Sequence, residues 1–503
     1  MASRSPNLVY ILADDMGYGD LSCLNPDSKI RTKHLDRLAG QGLRCTDAHA
    51  TSAVCTPSRY SILTGRYNWR SALKRGVNWG YSPRLLEAGR TTVASYLQAR
   101  GYRTMCVGKW HLGWTWPRRS DALDADRGDE VDTFDVDYTQ AIADGPTTVG
   151  FERFFGISAS LDMPPYVYVD NDRVTALPEG NVDATQGKQF WRGGPIAPDF
   201  SHADVLPTLT GKAVDFIDEQ AGSGSPFFLY FPLPAPHTPI LPTAEFAGKS
   251  QTNAYGDFCL QVDDVVGQVM SALERNGIVD DTILIFTADN GCSPMADFDE
   301  LAAVGHRPSH VFRGHKADIY EGGHRIPLLV RWPAGIAAGG MSDTTVCLVD
   351  LLATMADIHN DRLPDDVGED SVSNLPLWRG GRLDSGLREA TVHHSVDGSF
   401  SIRAGRWKLE LCPGSGGWSF PRPGDECDGL PPIQLYDLSA DIGEQLNVQS
   451  DHPEVVEQLT DLLTRYVLEG RSTPGAPQSN TGGPLWEQLW WMQDDDTEDS
   501  LPA

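Results

Sequence analysis

Short apolar runs of strand length recur along this chain and alternate with helical patterns. Three runs are almost continuously apolar, over residues 8–13, 227–231 and 282–287. Such runs are typical of parallel strands that are buried on both faces. Apolar residues at helical spacing predict helices over residues 33–42, 92–100, 208–220 and 254–275. Because strands that alternate with helices form a mostly parallel sheet flanked by those helices, the sequence predicts an α/β fold.

The chain is long enough to form more than one core. Its 503 residues exceed the size at which a single core usually stops growing. We predict one large domain over residues 1–374 and, where the pattern changes to short strands between turns, a subdomain over 375–475. This subdomain is predicted to be an antiparallel sheet covered by one helix, which makes it α+β. Residues 476–503 form an acidic tail whose tryptophans could dock on the body or on another subunit.

Charge and hydropathy limit the partners of the protein. The formal net charge is −28, which argues against nucleic acid and anionic membranes as partners. No run of about 18 apolar residues occurs, so no transmembrane helix is expected. The first residues lack a basic segment followed by an apolar one. We therefore expect a cytoplasmic protein, or a periplasmic or secreted one if a signal was removed from this sequence.

The sequence indicates that the cysteines are reduced thiols. There are nine of them, and most lie in apolar surroundings, as expected for core thiols. Cys412 and Cys427 flank a loop rich in glycine and proline and could form a disulfide. A reducing compartment argues against that pairing.

The segment 55–66 combines a cysteine, a proline and an arginine at the start of a predicted helix. Pro57 fits the first turn of a helix, because its missing N–H costs nothing there. The N–H groups of such a start point toward Cys55 and attract anions, and Arg59 adds a planar fork suited to tetrahedral oxygens. These residues predict a cradle for sulfate or phosphate that contains a nucleophile. A buried cysteine at the start of an ordinary helix is an equal alternative on residue types alone.

Oxygen-bearing side chains follow two of the predicted strands. Asp14 and Asp15 come directly after the first strand, and Asp289 and Asn290 come directly after the strand at 282–287. Ligands of open α/β sheets bind beyond the carboxyl ends of the strands. Four oxygen donors without a cluster of cysteines and histidines suit Ca²⁺ or Mg²⁺ better than Zn²⁺. A single Asp-Asp pair is more often a polar turn, so the metal interpretation depends on the two pairs meeting.

Three cationic or titratable side chains lie where they could face the same crevice. Lys109 and His111 alternate along an extended segment that follows the strand at 103–108. His237 lies between two prolines, which fix the backbone around it. On residue type alone, each of these side chains could instead be solvated or structural.

Several segments resemble type I sulfatases of the alkaline phosphatase superfamily. Residues 55–66 match the family pattern Cys-x-Pro-Ser-Arg-x-x-x-Leu-Thr-Gly-Arg at every specified position, and residues 108–113 match a second motif, Gly-Lys-Trp-His-Leu-Gly. Looser matches to catalytic-domain segments cover residues 150–160, 236–239 and 313–327, and residues 402–409 and 435–438 resemble the C-terminal subdomain. The resemblance spans nearly the whole chain. It implies a large, mostly parallel sheet flanked by helices, as in alkaline phosphatase, with a smaller C-terminal α+β subdomain.

The resemblance also implies roles for individual residues. In this family the motif cysteine is oxidised to formylglycine by a formylglycine-generating enzyme, and its hydrate is the nucleophile. The implied metal is Ca²⁺, with Mg²⁺ as the alternative, and its ligands are Asp14, Asp15, Cys55, Asp289 and Asn290. The implied catalytic residues are Cys55, Arg59, Lys109, His111, His237 and Lys316. The implied substrate-binding residues are Lys109, Ser160, His237 and Lys316.

The expected function is hydrolysis of an organic sulfate monoester, either an aryl sulfate or a sulfated sugar. One hydroxyl of the hydrate would attack sulfur, with His237 or a lysine helping the alcohol to leave. The second hydroxyl would then lose its proton, with His111 as candidate base, so that the aldehyde re-forms and sulfate departs. A sugar is weakly preferred, because Tyr166, Tyr168 and the long loop at 114–146 could frame one. The alternatives are a formylglycine-dependent phosphodiesterase or phosphonate monoester hydrolase, and a non-catalytic anion-binding protein with Cys55 unmodified. The oligomeric state is not readable from the sequence.

Overall fold

The computed structural model describes residues 5–119, 135–381, 386–483 and 485–493. Its strands are, in chain order, β1 (Asn7–Ala13), β2 (Leu43–Cys45), β3 (Ala48–His49), β4 (Arg103–Lys109), β5 (Arg153–Ile157), β6 (Val169–Asp170), β7 (Arg173–Val174), β8 (Gly180–Val182), β9 (Gly194–Ile196), β10 (Phe227–Pro232), β11 (Thr282–Ala288), β12 (Leu328–Arg331), β13 (Gly340–Ser342), β14 (Val346–Cys347), β15 (Thr391–His394), β16 (Phe400–Ala404), β17 (Trp407–Glu410) and β18 (Gln434–Asp437). Its α-helices are α1 (Lys33–Gly40), α2 (Cys55–Thr64), α3 (Val93–Gln98), α4 (Val205–Ala221), α5 (Ala254–Arg275), α6 (Phe298–Ala303), α7 (Glu321–His324), α8 (Leu351–Ile358), α9 (Leu375–Trp378) and α10 (Pro453–Glu469).

A large mixed sheet forms the centre of the molecule. Its strand order is β13-β2-β12-β11-β1-β10-β4-β5-β6-β7. The five strands from β11 to β5 run parallel, whereas β12 is antiparallel to both of its neighbours. Every residue of β1, β10 and β11 is buried, as expected for strands covered on both faces. The carboxyl ends of the parallel strands therefore meet at one edge of the sheet, as the sequence predicted.

Helices flank this sheet in two groups. Helices α1, α4 and α5 pack together, as do α2, α3 and α8. The predicted helix at 254–275 is confirmed with the same bounds, and the Asn253 side chain accepts from the N–H groups at its start. Helix α4 begins at Val205, three residues earlier than predicted. Pro207 did not prevent this, because proline is tolerated in the first turn of a helix.

Strands β15 to β18 form a separate four-stranded antiparallel sheet. Helix α10 packs on β16 and β17, so this part has the predicted combination of sheet and covering helix. The described part of the tail docks on the same body. The rings of Trp486 and Trp491 lie 6.3 and 5.4 Å from that of Phe400, and Trp490 donates to the carbonyl of Leu411 at 3.1 Å. The domain bounds 1–374, 375–475 and 476–503 stay predictions.

Two further expectations can be compared with the structure. Among the described helices, none combines the length and the apolar character needed to cross a membrane. All nine cysteines carry free thiols, including Cys412 and Cys427. Part of the predicted surface loop at 114–146, residues 120–134, lies outside the described residues.

Candidate active site

Helix α2 delivers Cys55 to the carboxyl edge of the sheet. Cys55 is the first residue of this helix, which ends at Thr64 and is followed by Gly65 with a left-handed φ of 66°. Every residue of α2 is buried, and Cys55 itself is only 3% exposed. Burial raises the pKa of the Cys55 thiol, although Lys109 and Lys316 oppose that effect. The unmodified side chain is therefore a neutral thiol at pH 7 and a weak nucleophile.

The two pairs of oxygen donors meet at this edge. Strands β1 and β11 are neighbours in register, with Ala13 beside Ala288, so the residues that follow them lie side by side. The backbone N–H of Asp15 donates to Asp289 at 3.2 Å, and the Asn290 amide donates to Asp15 at 2.7 Å. Asp15 has a left-handed φ of 66°, a strained conformation that is common at functional sites.

These donors have the character of a cation site. One ligand atom from each of Asp14, Cys55 and Asp289 lies within 4.8 Å of the other two. Asp14 Oδ1 and Asn290 Oδ1 are buried and have no hydrogen-bond partner among the described residues. A buried oxygen without a partner is costly, and a hard divalent cation would satisfy both. Burial, together with the charge of Asp14, raises the pKa of Asp289 to about 7.

Three buried cations face the carboxylates. Lys109 Nζ donates to Asp14 Oδ2 at 2.7 Å and to Ser160 Oγ at 3.1 Å. Lys316 Nζ lies 2.7 Å from the carboxylate of Asp15. Each ammonium is therefore shared between a carboxylate and the space in front of Cys55, where it can also bind an anion.

The guanidinium of Arg59 is held by the protein itself. Its Nη2 and Nε donate to Asp289 Oδ2 at 2.7 and 3.0 Å, and its Nη1 donates to the carbonyl of Lys109 at 2.9 Å. The sequence predicted a bidentate fork for tetrahedral oxygens. The fork is present, but its partner is the Asp289 carboxylate, because a fully buried cation pairs with the nearest buried anion. Arg59 thus orients a candidate metal ligand.

Three more of the predicted residues surround this centre. Ser160 Oγ lies 3.2 Å from Nδ1 of His237, and His237 Nε2 lies 3.6 Å from Asp15. His111 Nε2 lies 2.7 Å from the carbonyl of Asn78, and its Nδ1 is buried without a hydrogen-bond partner in the described part of the chain. Burial lowers the pKa of both His111 and His237, so both imidazoles are neutral at pH 7.

The expected aromatic frame for a sugar differs from the structure. Tyr166 and Tyr168 are 1% and 4% exposed, and their rings lie 5.9 and 5.0 Å from that of Phe200. They belong to the core, because their rings bury more apolar surface there than a solvent-facing loop would allow. The interpretation of these two tyrosines as a substrate platform was wrong.

Two polar residues beside the site, Asp162 and Arg192, were not predicted as site residues, although the segment 161–166 suggested either a substrate-facing loop or a rigid turn. Asp162 comes two residues after Ser160 and lies 3.9 Å from His237. Arg192 forms an ion pair with Asp162. The only signal in the sequence was the unusual loop that follows Ser160. Nothing local linked that loop to Arg192, which is 30 positions further along the chain.

Comparisons with known proteins agree with this geometry. The family model described as Sulfatase matches residues 6–360. The chain is 35% identical to an N-acetylgalactosamine-6-O-sulfatase of Bacteroides thetaiotaomicron, over 92% of this chain and 93% of that protein. It is 33% identical to human arylsulfatase A, over 95% and 91% of the two chains.

Solved structures give the same result. A protein from work on glycosaminoglycan metabolism by Bacteroides thetaiotaomicron superposes with a TM-score of 0.78 at 34% identity, covering 92% of this chain and 99% of that one. The phosphonate monoester hydrolase of Agrobacterium radiobacter superposes with a TM-score of 0.58 at 20% identity, over 92% and 96% of the chains. At that identity the second likeness establishes the fold alone.

Proposed function

Because the chain belongs to the sulfatase family and is a sulfuric ester hydrolase, we propose that its natural substrate is a sulfated sugar. The 6-O-sulfate of N-acetylgalactosamine is the first candidate. The observation that carries this proposal is the 35% identity to an N-acetylgalactosamine-6-O-sulfatase over 92% of the chain. Two buried ammonium groups, Lys109 and Lys316, act electrostatically on Cys55, and Ser160 lies 3.1 Å from Lys109, which supports the binding of a sulfate group beside Cys55.

The proposed nucleophile is formylglycine made from Cys55 by a formylglycine-generating enzyme. As found, the buried thiol is protonated and poorly nucleophilic. An aldehyde hydrate would supply a hydroxyl that attacks sulfur and a second hydroxyl whose deprotonation releases sulfate. His111 Nδ1, which has no partner among the described groups, is proposed to accept that proton.

The proposed metal is Ca²⁺, with Mg²⁺ as the alternative. It would be held by Asp14, Asp15, Asp289, Asn290 and the modified residue 55, and would supply Lewis-acid activation of the nucleophile. Asp14 Oδ1 and Asn290 Oδ1, which accept no hydrogen bond from a described residue, support this ligand set. In this arrangement Arg59 holds the Asp289 carboxylate in orientation through its two N–H donors.

The remaining residues are proposed to act directly on the sulfate ester. Lys109, Lys316 and Ser160 would donate to the sulfate oxygens and stabilise the charge that develops on them. His237 would contact the ester oxygen and protonate the leaving alcohol, since it lies beside Ser160 on a loop fixed by prolines. A poor leaving group such as a sugar alkoxide needs this proton more than a phenolate does.

Peptide mass spectrometry across residue 55, on protein co-expressed with a formylglycine-generating enzyme, tests the nucleophile. The expected product is the aldehyde or its hydrate. The same preparation is then assayed on N-acetylgalactosamine 6-sulfate and on 4-nitrophenyl sulfate, with Cys55→Ala as the matched control. An intact thiol under these conditions, with no turnover of either ester, would contradict the formylglycine mechanism.

A second substrate class has its own support, since human arylsulfatase A is 33% identical over 95% of the chain. If aryl sulfates are the true substrates, kcat/KM for 4-nitrophenyl sulfate will exceed kcat/KM for the sugar sulfate when both are measured under the same conditions. A phosphonate ester and a phosphate diester are assayed beside the two sulfate esters. A preference for phenyl phosphonate over both sulfates would favour phosphonate hydrolysis instead.

A further inference from the structure

Asp162 is a buried carboxylate at the edge of the active site with unused hydrogen-bonding capacity. Its residue is 5% exposed, and its Oδ1 has no hydrogen-bond partner in the part of the chain that the structure describes. The same atom lies 3.9 Å from Nδ1 of His237. An ionised carboxylate only accepts hydrogen bonds, so this oxygen needs a donor from outside the protein.

Arg192 completes a donor and acceptor pair with this carboxylate. Its Nη1 donates to Asp162 Oδ2, and its side chain is 38% exposed. The guanidinium lies between two aromatic rings, 4.6 Å from the centre of Trp79 and 5.0 Å from that of Phe190, which fixes its plane. Its Nη2 and Nε donate to no described residue, so they are free to donate to a bound molecule.

The backbone holds the two residues together before any ligand binds. The N–H of Arg192 donates to the carbonyl of Asp162 at 3.0 Å. The hydroxyl of the buried Tyr166 lies 2.6 Å from the carbonyl of Arg192 and 3.1 Å from that of Asp162. A pair that is fixed in this way loses little conformational entropy on binding, as recognition sites require.

We propose that Asp162 and Arg192 bind ring hydroxyls of the sugar that carries the sulfate, and so select a sugar over an aryl leaving group. This inference rests on the proposed sugar substrate and on His237 as the residue at the leaving oxygen. A sugar whose sulfated oxygen lies at His237 would place its nearest ring hydroxyl close to Asp162, because Asp162 Oδ1 is 3.9 Å from His237 Nδ1. A hydroxyl can donate to Asp162 Oδ1 and accept from Arg192 at once, whereas a nitrophenyl ring offers no donor.

The pair also defines which sugars fit. Asp162 Oδ1 can only accept a hydrogen bond, so a sugar whose hydroxyl at this point is free fits the site and one sulfated at that hydroxyl does not. Sites built to hydrogen-bond a hydroxyl strongly reject analogues that lack it, because their buried polar groups are then left unpaired. The predicted class is therefore a sulfated sugar whose ring hydroxyl nearest to the sulfate group is free.

The test is a ratio of specificities measured on the formylglycine-containing enzyme. We compare kcat/KM for N-acetylgalactosamine 6-sulfate with kcat/KM for 4-nitrophenyl sulfate in wild type, Asp162→Asn and Arg192→Ala. Each variant is expected to lower the sugar-to-aryl ratio by about 10- to 100-fold, as for a lost hydrogen bond to a charged group. Asp218→Asn is the matched control, because Asp218 also pairs with an arginine, Arg275, but on exposed helix ends.

Substrates lacking one hydroxyl at a time locate the contact. Wild type should discriminate against one deoxy sugar, and Asp162→Asn should lose that discrimination, which is the signature of a direct interaction. Ratios within twofold of wild type in both variants would overturn the inference while leaving the sugar substrate intact. A wild-type enzyme that cleaves the aryl ester but no sugar sulfate would overturn the substrate proposal and this inference together.

Discussion

Lys408 is the best position at which to test how the C-terminal sheet supports the active site. Its ammonium is fully buried and donates to Glu444 at 2.7 Å and to the carbonyl of Ile319 at 2.9 Å. Glu410 and Glu321 lie 3.2 and 3.4 Å away. The bond to Ile319 ties β17 to the turn that carries Lys316. We therefore predict that Lys408→Met destabilises the fold and disturbs the site without touching it.

The size of the effect follows from the charges left behind. The substitution keeps most of the side-chain volume but leaves three buried carboxylates without their shared cation. Removing one partner of a buried ion pair costs about 3–5 kcal/mol. The unfolding entropy of a chain of 503 residues is about 1 kcal/mol per kelvin. The expected loss of Tm is therefore about 3–5 °C.

The loss should depend on pH in a direction that identifies its cause. Burial raises the pKa of Glu444 and of Glu410 even though Lys408 opposes it. Burial would also raise the pKa of Glu321, but Lys408 and His49 hold it well below its ordinary value. Without Lys408 all three pKa values rise in the folded state. The folded variant then keeps protons that the unfolded chain releases above about pH 4.3, so its stability falls as the pH rises.

Differential scanning fluorimetry from pH 5 to pH 8 measures this prediction. The Tm difference between wild type and Lys408→Met should be smallest at pH 5 and largest at pH 8. The double variant Lys408→Met/Glu444→Gln should recover part of the loss, because one buried carboxylate becomes neutral. A Tm difference that is independent of pH, together with no recovery in the double variant, would refute the electrostatic reasoning and indicate a packing defect.

Three further predictions concern the active site. Chelation with EDTA should abolish turnover and lower Tm, with Ca²⁺ or Mg²⁺ restoring both, because the metal would satisfy the buried oxygens of Asp14 and Asn290; a protein indifferent to the chelator in both assays would contradict the metal site. Lys316→Met should lower kcat/KM for sulfate esters by about 10²- to 10³-fold, as for the loss of one preorganised donor to a developing charge, and steady-state kinetics showing less than a threefold change would exclude contact with the sulfate. His237→Ala should reduce turnover of the sugar sulfate by at least about tenfold more than that of 4-nitrophenyl sulfate, since nitrophenolate leaves without a proton; equal losses on the two esters would rule out protonation of the leaving oxygen by His237.

Much of the fold could be predicted because its signals are local. The spacing of apolar residues along a strand or a helix shows which of its faces are buried. The apolar runs and the helical patterns of this chain therefore predicted its main strands and helices. The sequence also predicted that two pairs of oxygen donors meet, since the carboxyl ends of parallel strands lie at one edge of the sheet. These pairs are Asp14 with Asp15 and Asp289 with Asn290. The pairing of the outer strands β2, β12 and β13 could not be predicted from the sequence. These strands are only three or four residues long, and their partners lie about 290 positions apart in the chain.

The contacts of individual side chains were harder to predict than their location. Tyr166 carries the pattern of a loop residue, yet its ring is buried because the 190–200 segment folds over it. Asp162 and Arg192 are joined only by that same packing. Sequence spacing therefore predicted proposed sulfate-binding residues such as Lys109, whose position follows a strand end. It did not predict the pairing of Asp162 with Arg192, which depends on the packing of two loops.

The pairing of Arg59 with Asp289 explains how an acidic protein can bind an anionic substrate. The described site contains three cations, Arg59, Lys109 and Lys316, against three carboxylates, Asp14, Asp15 and Asp289, and its histidines are neutral at pH 7. The centre is thus close to neutral by itself. A divalent cation would bring it to about +2, which a singly charged sulfate ester and an ionising nucleophile can then offset. In this arrangement the proposed metal would create the local field that attracts the substrate, while exposed charges far from the site, which contribute to the net charge of −28, are screened by salt.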